Sequence, residues 1–251
     1  MEIATPAGGW PAPWPHVAEL AATIDREAWT LVGGLMVQLH SIHRGLGVVR
    51  PTNDVDVVVH VETGRGRPAA VATALESLGY RMLSRVDPRD NTAHRFVRPG
   101  GVAVDLVAEA DTVEVLMADH PAPRVIETMR GRDMVRISGG TQALRRTVDA
   151  VLRIRAEDPT TVSVPGPFGA VILKAAAWAS DSRDPRRHLQ DAAVLLACIE
   201  DPIGEREAMS GSDHRRLRHL DAALRADRRS WSVLPDDART DAEAALRILT
   251  G

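Results

Sequence analysis

Asp54 and Asp56 stand two residues apart at the head of a valine-rich run, Val55, Val57, Val58 and Val59. Alternate residues of a strand share a face, so both carboxylates project the same way. Two carboxylates held together repel each other unless a cation sits between them. A hard divalent ion with oxygen ligands, most simply Mg²⁺, resolves that conflict. A third acid, Asp105, is embedded in the apolar stretch Val102-Ala103-Val104-Asp105-Leu106-Val107. If that strand pairs beside the valine strand, three carboxylates meet and can hold two metals against a triphosphate. The plainer alternatives are a strand-opening turn with solvated acids at 54 and 56, and a water-facing edge-strand acid at 105.

Upstream, Gly33-Gly34 separates the apolar run Trp29 to Val32 from a helical stripe, Leu35, Met36, Leu39 and Ile42. A glycine turn at a helix start lets phosphate approach the backbone, where free N–H groups and the helix dipole favour an anion. The segment lacks the Lys-Ser/Thr of a P-loop and the spacing of a dinucleotide fingerprint. Of 31 lysines and arginines, one alone is lysine, Lys174. Arginine replaces lysine poorly where a compact ammonium is needed. A lysine surviving a biased composition on the polar face of its helix is the competing explanation. Two arginine clusters could grip a polyanion. The first is Arg183, Arg186 and Arg187. The second runs from His214-Arg215-Arg216-Leu217-Arg218-His219 to Arg225, Arg228 and Arg229, where Asp213, Asp221 and Asp227 dilute the charge. The second reads as a solvated helix face. His94 and Arg95 could line a pocket or simply face water.

The elements that position these groups are legible in outline. The 251 residues suit one large domain or two modest ones, and 44% apolar with 26% charged residues excludes disorder and fibrous classes. The net charge of −3 gives no global basic field, and few aromatics argue against a stacking platform for single-stranded nucleic acid. Cys198 is the only cysteine, which excludes an intramolecular disulfide and fits a reducing cytosol. Met1 to Pro15 has neither the basic start nor the apolar core of a signal peptide, and the apolar run Ala192 to Ile199 is too short to cross a bilayer. A cytoplasmic protein without a membrane partner is expected.

Strands are expected at Trp29–Val32, Val55–Val61, Tyr80–Arg85, Ala93–Arg98 and Val102–Val107, the last two joined through Pro99-Gly100-Gly101. Met134–Ser138 and part of Leu144–Ile154 are further candidates. Helical spacing marks His16–Glu27, the segment after Gly34, Pro68–Leu78, Phe168–Ala179, Arg186–Ile199, His214–Arg225 and Asp236–Leu249. The expected fold class is α+β, a mixed sheet with helices followed by a helical C-terminal half. The boundary falls near Asp158 to Pro167, giving domains 1–158 and 159–251.

Gly33-Gly34, then Asp54-Val55-Asp56, then Asp105 resembles the signature of the nucleotidyltransferase superfamily. The run Arg50-Pro51-Thr52-Asn53-Asp54-Val55-Asp56 is similar to the Arg-x-Thr-x-Asp-x-Asp block of its AbiEii/MenT toxin-like group, which also has a downstream helical lysine followed by an acid. Lys174 and Asp191 match that second block, so the resemblance covers roughly residues 28–200. Proteins of the group often have serine where this chain has Gly34.

The resemblance implies a polymerase-beta-like fold and transfer of a nucleoside monophosphate from an NTP to an acceptor hydroxyl. Asp54, Asp56 and Asp105 would bind Mg²⁺ or Mn²⁺, and Asp105 would help deprotonate the acceptor. Gly33, Gly34, Arg50, Thr52 and Lys174 would hold phosphate, with Asp191 paired to Lys174. It further implies an RNA acceptor such as a tRNA 3′ end, met by Arg183, Arg186 and Arg187, and an antitoxin partner. Small-molecule modification of the antibiotic type, and a catalytically silent binder of nucleotide or partner, are the alternatives.

Overall fold

The computed structural model describes residues 1–47, 50–64, 66–83, 91–92, 94–99, 111–119, 128–155 and 158–251. Two compact units share the chain by interleaving. The first comprises 1–35, 51–137 and 149–164, and the second 36–50, 138–148 and 165–251. The last crossing lies between Val164 and Pro165. The earlier crossings have no counterpart in the sequence pattern.

The first unit is built on β-structure. Its strands are β1 (Glu2–Ile3), β2 (Trp29–Leu31), β3 (Asp54–Val59), β4 (Arg81–Met82), β5 (Arg95–Arg98), β6 (Asp111–Ala118), β7 (Thr128–Met129), β8 (Arg132–Asp133), β9 (Val135–Ile137), β10 (Thr147–Leu152) and β11 (Thr160–Pro165), the ends of the last two reaching past the division. A six-stranded mixed sheet has the order β2-β3-β6-β5-β4, with β9 beside the far end of β6. β1, β10 and β11 make a smaller sheet, and β7 pairs with β8.

β3 is central. It runs antiparallel to β2 and parallel to β6, and Val55, Val57, Val58 and Val59 are all buried. Burial on both faces is why this strand reads as a near-continuous valine run. Helix α1 (Trp14–Thr23) buries Val17, Ala18 and Leu20, and α3 (Arg67–Ser77) buries Val71, Ala72 and Leu75; α2 (Gly33–His43) begins in this unit and belongs to the second from Met36 on. The spacing of three and four residues is that of a helix with one apolar face.

The second unit is helical: α4 (Gly140–Leu144), α5 (Pro167–Ser180), α6 (Pro185–Ala197), α7 (Pro202–Glu207), α8 (Asp213–Ala226) and α9 (Asp236–Thr250), with a 3₁₀ turn at Arg228–Val233. Proline in the first turn starts α5, α6 and α7, where its missing N–H is harmless. Every residue from Phe168 to Ala176 is buried, so α5 is the unit's central helix.

The mixed sheet with a helical C-terminal half agrees with the expected class. β6 is a strand the sequence reading did not anticipate. The expected strand at 102–107, its Asp105 and the turn centred on Gly100-Gly101 lie outside the described residues.

Candidate functional site

In the first unit, Asp54, Asp56 and Val58 alternate onto one face of β3, with both aspartates half-buried. The first turn of α2 closes against Asp56. Gly33 has φ +71°, the left-handed region, and a Cβ placed there would overlap Oδ2 of Asp56 and stand 2.5 Å from its Cγ. Only glycine satisfies both the backbone and the space. The Asp56 carboxylate therefore lies at the N-terminal end of α2, where the helix dipole favours negative charge. The backbone N–H of Val32 donates to the Asp56 carbonyl at 2.9 Å and fixes the turn to the strand.

A Cβ at Gly34 would stand 2.9 Å from the Cβ of Thr52 and 3.0 Å from its hydroxyl oxygen. Thr52 fills the space that a serine at 34 would require. A side chain at position 34 would require Thr52 to shift.

The neighbour of β3 on the other side is β6, in a register that sets Asp54 against Thr112 and Asp56 against Glu114. Glu114 is in turn opposite Arg95 on β5, and the guanidinium donates to Oε1 through Nη2 at 2.8 Å and Nε at 3.2 Å. In-register partners share a face, so Asp56, Glu114 and Arg95 form a row across three strands. The sequence reading missed Glu114, although Thr112, Glu114 and Leu116 alternate with Val113, Val115 and Met117 in a period of two.

Among the described residues, no group of three or more histidine, cysteine, aspartate or glutamate side chains is placed to hold a metal. Two carboxylates nonetheless suit Mg²⁺, which commonly takes one or two carboxylates and completes its shell with water and substrate phosphate. Asp54 and Asp56 have the hard oxygen chemistry for it.

The second unit holds a separate charged cluster. Lys174, midway along α5, is 6% exposed and therefore off any solvated face. Its Nζ lies 2.8 Å from Oδ2 of Asp191 on α6. Arg50 grips the same carboxylate with both arms of its fork, Nε to Oδ1 and Nη2 to Oδ2, each at 3.0 Å. Asp191 is 2% exposed. Burial pushes its carboxyl up, but the Lys174 ammonium and the Arg50 guanidinium outweigh burial and hold it below the usual range. Gln38 Nε2 donates to the Arg50 carbonyl at 2.7 Å and sets the arginine's backbone. Two cations share one carboxylate, which leaves the cluster one net positive charge.

Arg186 and Arg187, in the first turn of α6, are engaged. Arg186 makes a two-pronged pair with Asp227 at 2.7 and 2.9 Å, and Arg187 reaches Asp181 at 2.9 Å. Asp181 also accepts the backbone N–H of Arg183 at 2.8 Å and bonds His188 Nε2 at 2.9 Å. The Arg183 N–H and then His188 hold the Asp181 carboxyl well below the usual range. Cys198 is buried, and burial pushes its thiol up to about 12, which makes it a poor nucleophile.

No protein-family model matches the chain, and no curated protein matches it. Among solved structures it is similar to one described as "putative nucleotidyltransferase from H. pylori", with 14% identity over 93% of this chain and 89% of that one, at a TM-score of 0.27. A likeness that slight fixes neither fold nor activity.

Proposed function

We propose that the chain is a metal-dependent nucleotidyltransferase that moves a nucleoside monophosphate from an NTP to an acceptor hydroxyl, with RNA as the acceptor. The observation that carries this reading is the fit of Gly33 over the Asp56 carboxylate, with Asp54 on the same face of β3. A side-chain-free turn leaves the backbone N–H groups open beside the two carboxylates. A site that must bring a triphosphate to two carboxylates needs such an opening.

Asp54 and Asp56 would hold the Mg²⁺, which when bound supplies charge neutralisation for the triphosphate. The acceptor oxygen bonds to the α-phosphorus as the bond from that phosphorus to the bridging oxygen breaks, and pyrophosphate leaves. The acceptor's proton passes to a carboxylate, a role the resemblance gives to Asp105. The backbone at Gly33 and Gly34 binds phosphate through N–H groups of the first turn of α2, and the rate gain comes from positioning and electrostatics. The Arg50–Asp191–Lys174 cluster adds to the second unit a buried positive charge suited to anions.

The test is incubation of the purified protein with each labelled NTP, Mg²⁺ and total cellular RNA, beside Asp56→Asn. Label entering RNA with the wild type and not with Asp56→Asn is expected. No transfer from any NTP by folded wild-type protein overturns the reading. Transfer to small metabolites but not to RNA overturns the acceptor alone.

A further inference from the structure

The second arginine cluster is diluted by acid less on the surface of the fold than along the sequence. Asp213 has no solvent exposure and faces Arg146 at 3.3 Å. Asp227 is occupied by the fork of Arg186. Asp221 is half-buried and engaged by Arg225 one turn on, at 2.9 Å. Leu217, Leu220, Ala223 and Leu224 face inward. What α8 exposes is Arg215, Arg218 and Arg225 with His214 and His219, followed by Arg229 in the 3₁₀ turn. The uncharged members of that face are alanines, Ala222 and Ala226.

Arg215, Arg218, Ala222 and Arg225 follow steps of three and four within α8, so they line one stripe, and Arg229 follows in the 3₁₀ turn beyond the helix end. From Arg215 to Arg225 the stripe extends about 15 Å at a rise of 1.5 Å per residue. No ion pair is made by the side chains of Arg215, Arg218 and Arg229 among the described residues. α9, in the same unit, exposes Asp236, Asp237 and Asp241 instead. A chain of net charge −3 has therefore segregated cations onto one helix face.

We propose that this face of α8 is the surface that grips the phosphate backbone of the RNA acceptor. The choice of RNA rests on the transfer reading above; the choice of a polyanion rests on the face itself. Arginine forks match phosphate oxygens in pairs. With alanines the only apolar residues on the face, a lipid surface has nothing to anchor. The absence of exposed aromatics from the stripe points to backbone contact without base reading.

The test measures binding of labelled tRNA-sized RNA to the NTP-free protein by fluorescence anisotropy across a salt series. Wild type is compared with the triple variant Arg215→Gln, Arg218→Gln, Arg229→Gln, and with Arg183→Gln, Arg186→Gln, Arg187→Gln. Each lost contact removes about 0.7 from the log–log salt slope, so the first variant should lose about 2 and bind about 10- to 100-fold more weakly at 0.1 M salt. The three positions are exposed, and thermal melting checks that the variant keeps the fold.

A wild-type slope near zero, unchanged binding by the α8 variant, or weakening confined to the 183/186/187 variant overturns the proposal. Equal affinity for duplex DNA of the same length overturns the assignment to RNA. NMP transfer is measured separately on the same proteins. Binding that depends on α8 without any transfer removes the catalytic reading and supports the surface. Undiminished transfer to RNA by the α8 variant removes the surface and leaves the catalysis.

Discussion

Gly33→Ala asks whether the glycine turn is tight for the sake of the carboxylate beneath it. The comparison is Gly45→Ala. Gly45 has φ +66° and nothing among the described residues within 4 Å of an added Cβ, whereas Gly33 has φ +71° and the Asp56 carboxylate in that place. Both substitutions place alanine in the left-handed region, at about 1–2 kcal/mol, and both stiffen the unfolded chain equally. These shared contributions cancel in the difference. What remains at position 33 is the displacement of Asp56, an overpacking cost of about 1–3 kcal/mol. At about 2–4 °C per kcal/mol for a chain of this size, Gly33→Ala should melt several degrees below Gly45→Ala. Urea denaturation and differential scanning calorimetry measure the gap. Nucleotidyl transfer, assayed in parallel, should disappear in Gly33→Ala and persist in Gly45→Ala. Equal destabilisation by the two substitutions would refute the packing argument. A stable, fully active Gly33→Ala would refute the phosphate cradle as well.

Asp191→Ala leaves Lys174 buried without its counter-ion, which should cost about 3–5 kcal/mol; Lys174→Met with Asp191→Leu should recover much of it, and additive urea midpoints would deny the coupling. His40 donates from Nε2 to the Pro165 carbonyl at 2.8 Å, and burial lowers its pKa to about 4. The unfolded chain takes up that proton near pH 6.5 and the folded one resists it, so stability is full above pH 6.5 and falls by about 3 kcal/mol as the pH drops to 4. His40→Gln should flatten the stability profile by that amount, and a parallel profile would contradict the assignment.

The strand carrying Asp54 and Asp56 was legible because its valines are buried on both faces, and α5, α6, α8 and α9 because their apolar residues recur with the helical period. Local patterns of this kind need no partner to be read. The row Asp56–Glu114–Arg95 was not legible, because register between β3, β6 and β5 is set by pairings between distant segments. The Asp191 cluster was half legible. Lys174 stood out by its rarity and its pairing with Asp191 followed from the resemblance, but Arg50, 141 residues from Asp191, carried no local sign of its destination. Which acids dilute the arginines of α8 was not legible for a related reason. Counting charges along a sequence assigns Asp213 and Arg215 equal weight, whereas helical geometry buries the first and exposes the second.

The interleaving of the two units limits how this chain can be divided. A fragment beginning at Pro165 would carry Asp191 without Arg50 and Asp213 without Arg146, leaving nearly inaccessible carboxylates short of their cations. A fragment ending at Val164 would display Leu39, His40 and Ser41, residues buried in the intact fold, on a segment that belongs to the other unit. Neither half is a module that recombination could transplant or that a deletion series could isolate. Mapping of activity by truncation should yield insoluble pieces on both sides of the cut, and point substitution is the route by which its parts can be told apart.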